Sequence, residues 1–154
     1  MMKLCSDVLT ALQGKTLVTA ESLTGGGIGA ALTAVSGASA VYKGGVISYT
    51  NEVKHGVLGV PEEILETRGA VSAPVAEAMA CGVRKLLDAD VAVSVTGLAG
   101  PGGDEYGNPV GTVCIGLCNE QESFAVKYYF EGDRESVRNQ TIRAALELVL
   151  DNHG

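Results

Sequence analysis

The chain is expected to fold as an α/β protein: a three-layer α/β/α sandwich on a mixed five-stranded sheet, mostly parallel with an antiparallel strand. Three observations predict this. Two strand-then-helix units come early, at 15–35 and 44–58. The run Asp90 to Val95 is nearly all apolar, as a central strand buried on both faces requires. Two further β-rich runs then follow as a meander before a final helix, so crossovers and hairpins share one sheet.

The elements follow in order. Leu4, Val8, Leu9 and Leu12 form a helical stripe over Met2 to Gln13, with Gly14 expected as the closing C′ residue. Lys15 to Ala20 is the first strand, and Gly25 to Val35 a helix that Ser36 and Gly37 end. Gly44 to Tyr49 reads as the second strand. A short helix capped by Thr50 or Asn51 follows, with Val53, Val57 and Leu58 facing inward and Lys54 in its first turn. Pro61 begins another short helix as its first residue. Ser72-Ala73-Pro74 opens a longer one to about Leu87, with Val75, Met79, Val83 and Leu86 buried. After Val95 the stretch Thr96 to Gly103 reads as a glycine-rich loop. Strands over Gly111 to Leu117 and Ser123 to Phe130 come next, the latter an edge or antiparallel strand. The last helix runs from Asp133 to about Asp151, with Val137, Ile142, Leu146 and Val149 inward.

The 154 residues suit one domain, 1–154, with a core built from Ala, Val, Leu and Ile, since Trp is absent and aromatic residues are 5%. A net charge of −7 argues against a nucleic-acid partner, which needs a basic face. No apolar run reaches the length of a membrane span and the N-terminus lacks a signal-peptide pattern, so a cytoplasmic location without a membrane partner is expected. Cys114 and Cys118 share a strand face but lie roughly 13 Å apart along it, too far for a disulfide. The cysteines therefore read as small buried apolar side chains in a reducing compartment. Neither His55 nor His153 is spaced from a cysteine as a zinc site requires, so no metal and no cofactor are expected.

The chemistry-bearing stretch is Glu21-Ser22-Leu23-Thr24-Gly25-Gly26-Gly27, between a strand and a helix. A hydroxyl there faces a helix N-terminus, whose unpaired N–H groups suit an anion or a developing oxyanion. The alternative is a tight turn in which Ser22 or Thr24 merely caps the helix. Gly14-Lys15-Thr16 is not a phosphate-binding P-loop, because Leu9 stands where that motif needs glycine. The glycines from Gly25 to Gly29 match a dinucleotide fingerprint only loosely, with no acidic residue ending a second strand where that fingerprint places one. The loop of Thr96, Gly97, Ala99, Gly100 and Gly103 leaves its backbone N–H groups available for an anion, or simply connects two strands. Ser22, Tyr49 with Lys54, and this loop all follow strand carboxyl ends, where open α/β sheets bind ligands, so the three should converge on one crevice.

Taken together, Ala20-Glu21-Ser22-x-Thr24-Gly25-Gly26, Gly44-Gly45-x-x-x-Tyr49-x-Asn51-x-x-Lys54, Gly69-Ala70-Val71-Ser72, Thr96-Gly97-x-Ala99-Gly100-Pro101-x-Gly103 and Pro109-Val110-Gly111-Thr112-Val113 resemble, in order, the CinA C-terminal domain family. Gly132-Asp133-Arg134 and Arg138 extend the resemblance. It implies an amidohydrolase that converts the carboxamide of nicotinamide mononucleotide to a carboxylate and releases ammonia. The proteins it is similar to are often fused behind a nucleotide-pyrophosphatase domain, and the chain resembles the stand-alone form. Leu23 stands where the family usually has Cys, leaving Ser22 as the nucleophile of that site. The segment Asp104 to Asn108 also departs from the family's usual residues.

Amide hydrolysis needs a nucleophile, a base, an oxyanion site and an acid for the leaving amine. Strand-end geometry and the resemblance favour Ser22 as nucleophile and Lys54 as a neutral amine base, with Tyr49 relaying the proton or positioning the base. The other reading of Lys54 is a solvated surface lysine. Glu21, Thr24, Gly25, Gly26 and the loop residues Thr96, Gly97, Ala99, Gly100 and Gly103 are candidate substrate contacts, although Glu21 would serve equally as a buried structural group. Arg134 and Arg138 can hold a phosphate, or pair with Glu131 and Glu135 on the surface. The expected partner is a small-molecule nucleotide, with room for a homo-oligomer. A non-catalytic nucleotide-binding or oligomerisation module of the same fold is the competing expectation.

Overall fold

The computed structural model describes residues 1–153; Gly154, the end of the expected 1–154 domain, lies outside the described residues. The elements are α1 (Met2–Ala11), β1 (Leu17–Glu21), α2 (Gly27–Thr33), β2 (Tyr42–Ile47), α3 (Asn51–Gly56) and α4 (Glu62–Arg68). They continue with α5 (Ala73–Leu87), β3 (Val91–Gly97), β4 (Thr112–Cys118), β5 (Ser123–Tyr129) and α6 (Arg134–Asp151). The five strands lie in the order β2-β1-β3-β4-β5. β1 pairs parallel with β2 on one side and β3 on the other, and β4 runs antiparallel between β3 and β5. Four strands therefore share a direction and β4 opposes them, as expected, with β5 at the edge.

Alternation along the strands divides the core in two. Leu17, Val91, Val93, Val95, Val113, Ile115 and Leu117 face a layer made by α1, α2 and α6. Val18, Ala20, Ala92 and Cys118 face α5, with Leu65 of α4 completing that side. The α1 and α6 stripes meet through Val8, Leu9, Leu146 and Val149, all buried. The chain leaves β1 toward β2 on one side and later reaches β3 on the other, so the carboxyl end of β1 is where the strand order switches. Crossovers diverging from one strand leave a cleft between them at that end.

Several boundaries depart from the sequence expectations. The α1 helix stops at Ala11 and is capped at Leu12, with Gly14 two residues beyond in a left-handed turn. Thr96 and Gly97 belong to β3 and pair with β4, so the glycine loop starts at Leu98. Pro61 is the N-cap of α4 and not its first helical residue. Val57 and Leu86, expected inward, are exposed, because α3 and α5 turn those positions to solvent. In α3 the buried residue is Lys54 itself, at the overlap of the first and last turns of a six-residue helix.

Candidate active site

The crevice at the carboxyl end of β1 holds about 300 Å³. It is lined by Ser22, Leu23, Tyr49, Asn51, Lys54, Ala70, Val71, Thr96, Gly97, Leu98, Ala99, Gly100, Gly102 and Arg134. The three stretches expected to converge do so.

Ser22 follows the last residue of β1, and its N–H donates to the Val95 carbonyl at 3.1 Å, so the neighbouring strand fixes where the hydroxyl begins. Lys54 is delivered from the other side. The Thr50 hydroxyl caps α3 by accepting from Val53 N–H, and the Lys54 N–H closes the first turn on the Thr50 carbonyl at 3.0 Å. The helix lies across the end of β2, so the lysine stem crosses the interior toward β1. Lys54 is the largest fully buried side chain of the described residues, 1% exposed.

Its Nζ has three neighbours: Ser22 Oγ at 3.1 Å, the Ser48 carbonyl at 2.8 Å and the Tyr49 carbonyl at 3.3 Å. No carboxylate is among them. Burial alone pushes the Lys54 amine down to about 8. A neutral amine in this position donates two N–H bonds to the two carbonyls and turns its lone pair to the Ser22 hydroxyl.

Glu21 occupies the α2 end. Its carboxylate, 2% exposed, accepts from Thr24 Oγ at 2.6 Å and from the N–H groups of Ile28 at 2.8 Å and Gly29 at 3.1 Å. The helix N-terminus read from sequence as an anion site is therefore filled by the protein's own anion. Glu21, Thr24, Gly25 and Gly26 do not line the crevice; they build the turn that presents Ser22. Arg138 pins the same turn from α6, donating Nε to the Leu23 carbonyl at 2.9 Å and Nη2 to the Thr24 carbonyl at 3.3 Å.

Of the expected ligand contacts, Thr96, Gly97, Ala99, Gly100 and Arg134 line the crevice, whereas Gly103 and Arg138 do not. The Arg134 guanidinium reaches the Gly100 carbonyl and, at 3.4 Å, the Tyr49 hydroxyl, bridging the mouth. The Tyr49 phenol is thus directed to Arg134, and Tyr49 touches Lys54 through its backbone carbonyl. The Leu23 side chain is buried in the α1, α2 and α6 core, so the departure at that position changes packing and leaves Ser22 as the polar group of the turn facing Lys54. The N–H groups of Leu23 and Ala99, on the crevice wall, have no hydrogen-bond partner among the described residues.

Sequence reasoning placed none of Ser48, Asn51, Ala70 and Val71 at the site, reading Asn51 only as a candidate helix cap. The signal for the last three was their place in the quoted motifs. Ser48 acts through its carbonyl, which no side-chain pattern reveals. His55 stands apart, its Nδ1 2.8 Å from the Val60 carbonyl and its Nε2 3.4 Å from Glu62. It lines a second groove of about 590 Å³ with Glu52, Glu62, Glu66, Glu105 and Tyr106, where no hydroxyl or thiol meets a base. No group of three or more metal-ligating side chains occurs among the described residues.

A serine hydroxyl hydrogen-bonded to a buried lysine with no carboxylate beside it thus stands at the switch point of an α/β sheet. The family follows from comparison. The model of the CinA C-terminal domain matches residues 1–153, and the chain belongs to that family. It is 49% identical over 148 residues to a CinA-like protein of Parasynechococcus marenigrum, covering 94% of this chain and 35% of that protein. With a CinA-like protein of Mycolicibacterium gilvum it is 44% identical over 144 residues, 93% and 34% of the two chains. The chain thus spans about a third of the length of these relatives. Among solved structures, it resembles the competence damage-inducible protein A of Klebsiella pneumoniae at a TM-score of 0.96 with 37% identity, over 99% of this chain and 96% of that one. The competence/damage inducible protein of Agrobacterium tumefaciens matches at 0.92 with 39% identity, over 98% and 95%.

Proposed function

We propose that the protein is an amidohydrolase that deamidates nicotinamide mononucleotide to nicotinate mononucleotide and ammonia. The observation that carries the reading is the contact between Lys54 Nζ and Ser22 Oγ at 3.1 Å, with two backbone carbonyls taking the other N–H positions of the amine. Neutral Lys54 takes the Ser22 proton as Oγ attacks the carboxamide carbon. The resulting ammonium returns that proton to the nitrogen as the C–N bond breaks, releasing ammonia and leaving an ester on Ser22. Water, deprotonated by the same amine, then cleaves the ester to the carboxylate.

The unpartnered Leu23 and Ala99 N–H groups are the donors available to the oxyanion. The crevice volume of about 300 Å³ suits a mononucleotide. Its phosphate lies along Ala99, Gly100 and Gly102, with Arg134 at the mouth supplying charge. Thr96 and Gly97 form the floor; the Thr96 hydroxyl is spent on the Ala70 carbonyl at 2.9 Å.

The test is ammonia release from nicotinamide mononucleotide by purified protein. Activity should rise with pH through one ionisation near 8, where burial places the Lys54 amine. Ser22→Ala and Lys54→Arg should each lower kcat by about a thousandfold or more, since one removes the nucleophile and the other cannot lose its proton. An active Ser22→Ala would mean that water attacks directly. An active Lys54→Arg would reduce the lysine to a source of charge.

A further inference from the structure

The segment between β3 and β4 has two parts with different tasks. Its base is closed by Leu98 N–H to the Thr112 carbonyl at 2.9 Å and Gly111 N–H to the Leu98 carbonyl at 2.8 Å. Ala99, Gly100 and Gly102 supply one wall of the crevice, yet their N–H groups and that of Gly103 make no hydrogen bond among the described residues. A wall without internal backbone bonds must be held from outside. Arg134 holds it on one side through the Gly100 carbonyl.

The other hold comes from residues 104–108. Asp104 Oδ1 accepts from the N–H groups of Tyr106 at 3.0 Å and Asn108 at 2.9 Å, and Oδ2 from Asn108 Nδ2 at 2.8 Å, closing a tight turn. That turn carries Tyr106 onto the connection between α4 and α5. The Tyr106 hydroxyl donates to the Glu66 carbonyl at 2.8 Å, one of the carbonyls a helix end leaves unpaired. Its ring lies on Gly69, where an added β-carbon would stand 2.6 Å from Tyr106 Cδ2. Gly69 has φ +83° and ψ 160°, a backbone region essentially restricted to glycine, so this position both permits the turn and makes room for the ring. The next residues, Ala70 and Val71, form the facing wall of the crevice.

We propose that Tyr106 is a positioning residue that ties the two crevice walls together and so sets how the 99–103 segment meets the ligand. At 42% exposure Tyr106 can be replaced without opening the core. Its effect on substrate rests on the deamidase reading; its effect on the segment does not.

The experiment combines amide hydrogen exchange of residues 98–111 with kcat, KM and Tm for Tyr106→Ala and Tyr106→Phe. In Tyr106→Ala the Asp104 and Asn108 amides should exchange about tenfold faster, with Tm nearly unchanged. KM for nicotinamide mononucleotide should rise about tenfold and kcat stay within about twofold. Tyr106→Phe keeps the ring on Gly69 and should fall between. Unchanged exchange overturns the proposal, and so does faster exchange with an unchanged KM, or a joint collapse of kcat and Tm. A wild type that releases no ammonia overturns the deamidase reading alone, and exchange then decides the anchor by itself.

Discussion

The base proposed for Lys54 would couple catalysis to stability, because an amine that is neutral near neutral pH must be one the fold does not want charged. Burial lowers the amine to about 8, against about 10.4 for a free lysine. At pH 7 only about a tenth of the molecules carry the neutral form. Between about pH 8 and about pH 10.4 the unfolded chain binds more protons than the folded one, so this group's contribution to stability rises with pH across that window. Below it, the folded protein bears a desolvation penalty of about 3 kcal/mol. Lys54→Met, which keeps the apolar stem, should therefore be more stable than wild type at pH 7 by up to about 3 kcal/mol, with the gap closing as pH approaches 10.4. Urea unfolding of both proteins across pH measures it, and a gap that stays constant would mean that the amine titrates as it does in water.

At the scale of elements, the turn from β1 to α2 is held by groups that never touch the crevice. The Glu21 carboxylate satisfies two helical N–H groups and the Thr24 hydroxyl, while Arg138 takes two carbonyls of the same turn. Ser22 is placed by that framework and not by its own rotamer alone. Glu21→Ala would leave buried donors without acceptors and should destabilise the protein by about 3 kcal/mol. The urea midpoint should fall without a change in m-value. A loss under about half a kcal/mol would mean that water replaces the carboxylate there.

Across the whole molecule, the two core layers sort the four thiols. Cys5 and Cys114 are fully enclosed and Cys118 is 7% exposed, whereas Cys81 on α5 is half-buried at the surface. Burial also raises the Cys114 thiol, and raises the Cys118 thiol to about 11, withholding the reactive thiolate. A thiol reagent at pH 8 should therefore modify Cys81 alone in the native protein and all four cysteines in guanidinium. Native labelling at Cys114 or Cys118 would show that α5 lifts from the sheet far more readily than its packing on Ala92 and Cys118 implies. Among the described residues no helix is long and apolar enough to cross a membrane.

Periodicity alone carried the architecture, because burial against a sheet imposes period 2 on strands and 3.6 on helices, and both patterns are written in the residues. Thus β3 is buried on both faces, Val91, Val93 and Val95 on one and Ala92, Ser94 and Thr96 on the other, and α6 buries Val137, Leu146 and Val149. The convergence of Ser22, Lys54 and the glycine loop was legible as well, since parallel strands bring their carboxyl ends to one edge. Hydrogen-bond accounting was not legible. Only the folded chain shows that Glu21 fills the helix end that looked open to an anion, that Tyr49 serves Lys54 through its carbonyl, and that Arg138 braces a turn instead of facing the ligand. A six-residue helix also has too little periodicity to reveal its inner face, so Val57 looked internal, and the choice between a buried and a solvated Lys54 was made only by the folded chain. Contacts between residues distant in sequence depend on how layers pack, and that is decided only when the whole sheet closes on its helices.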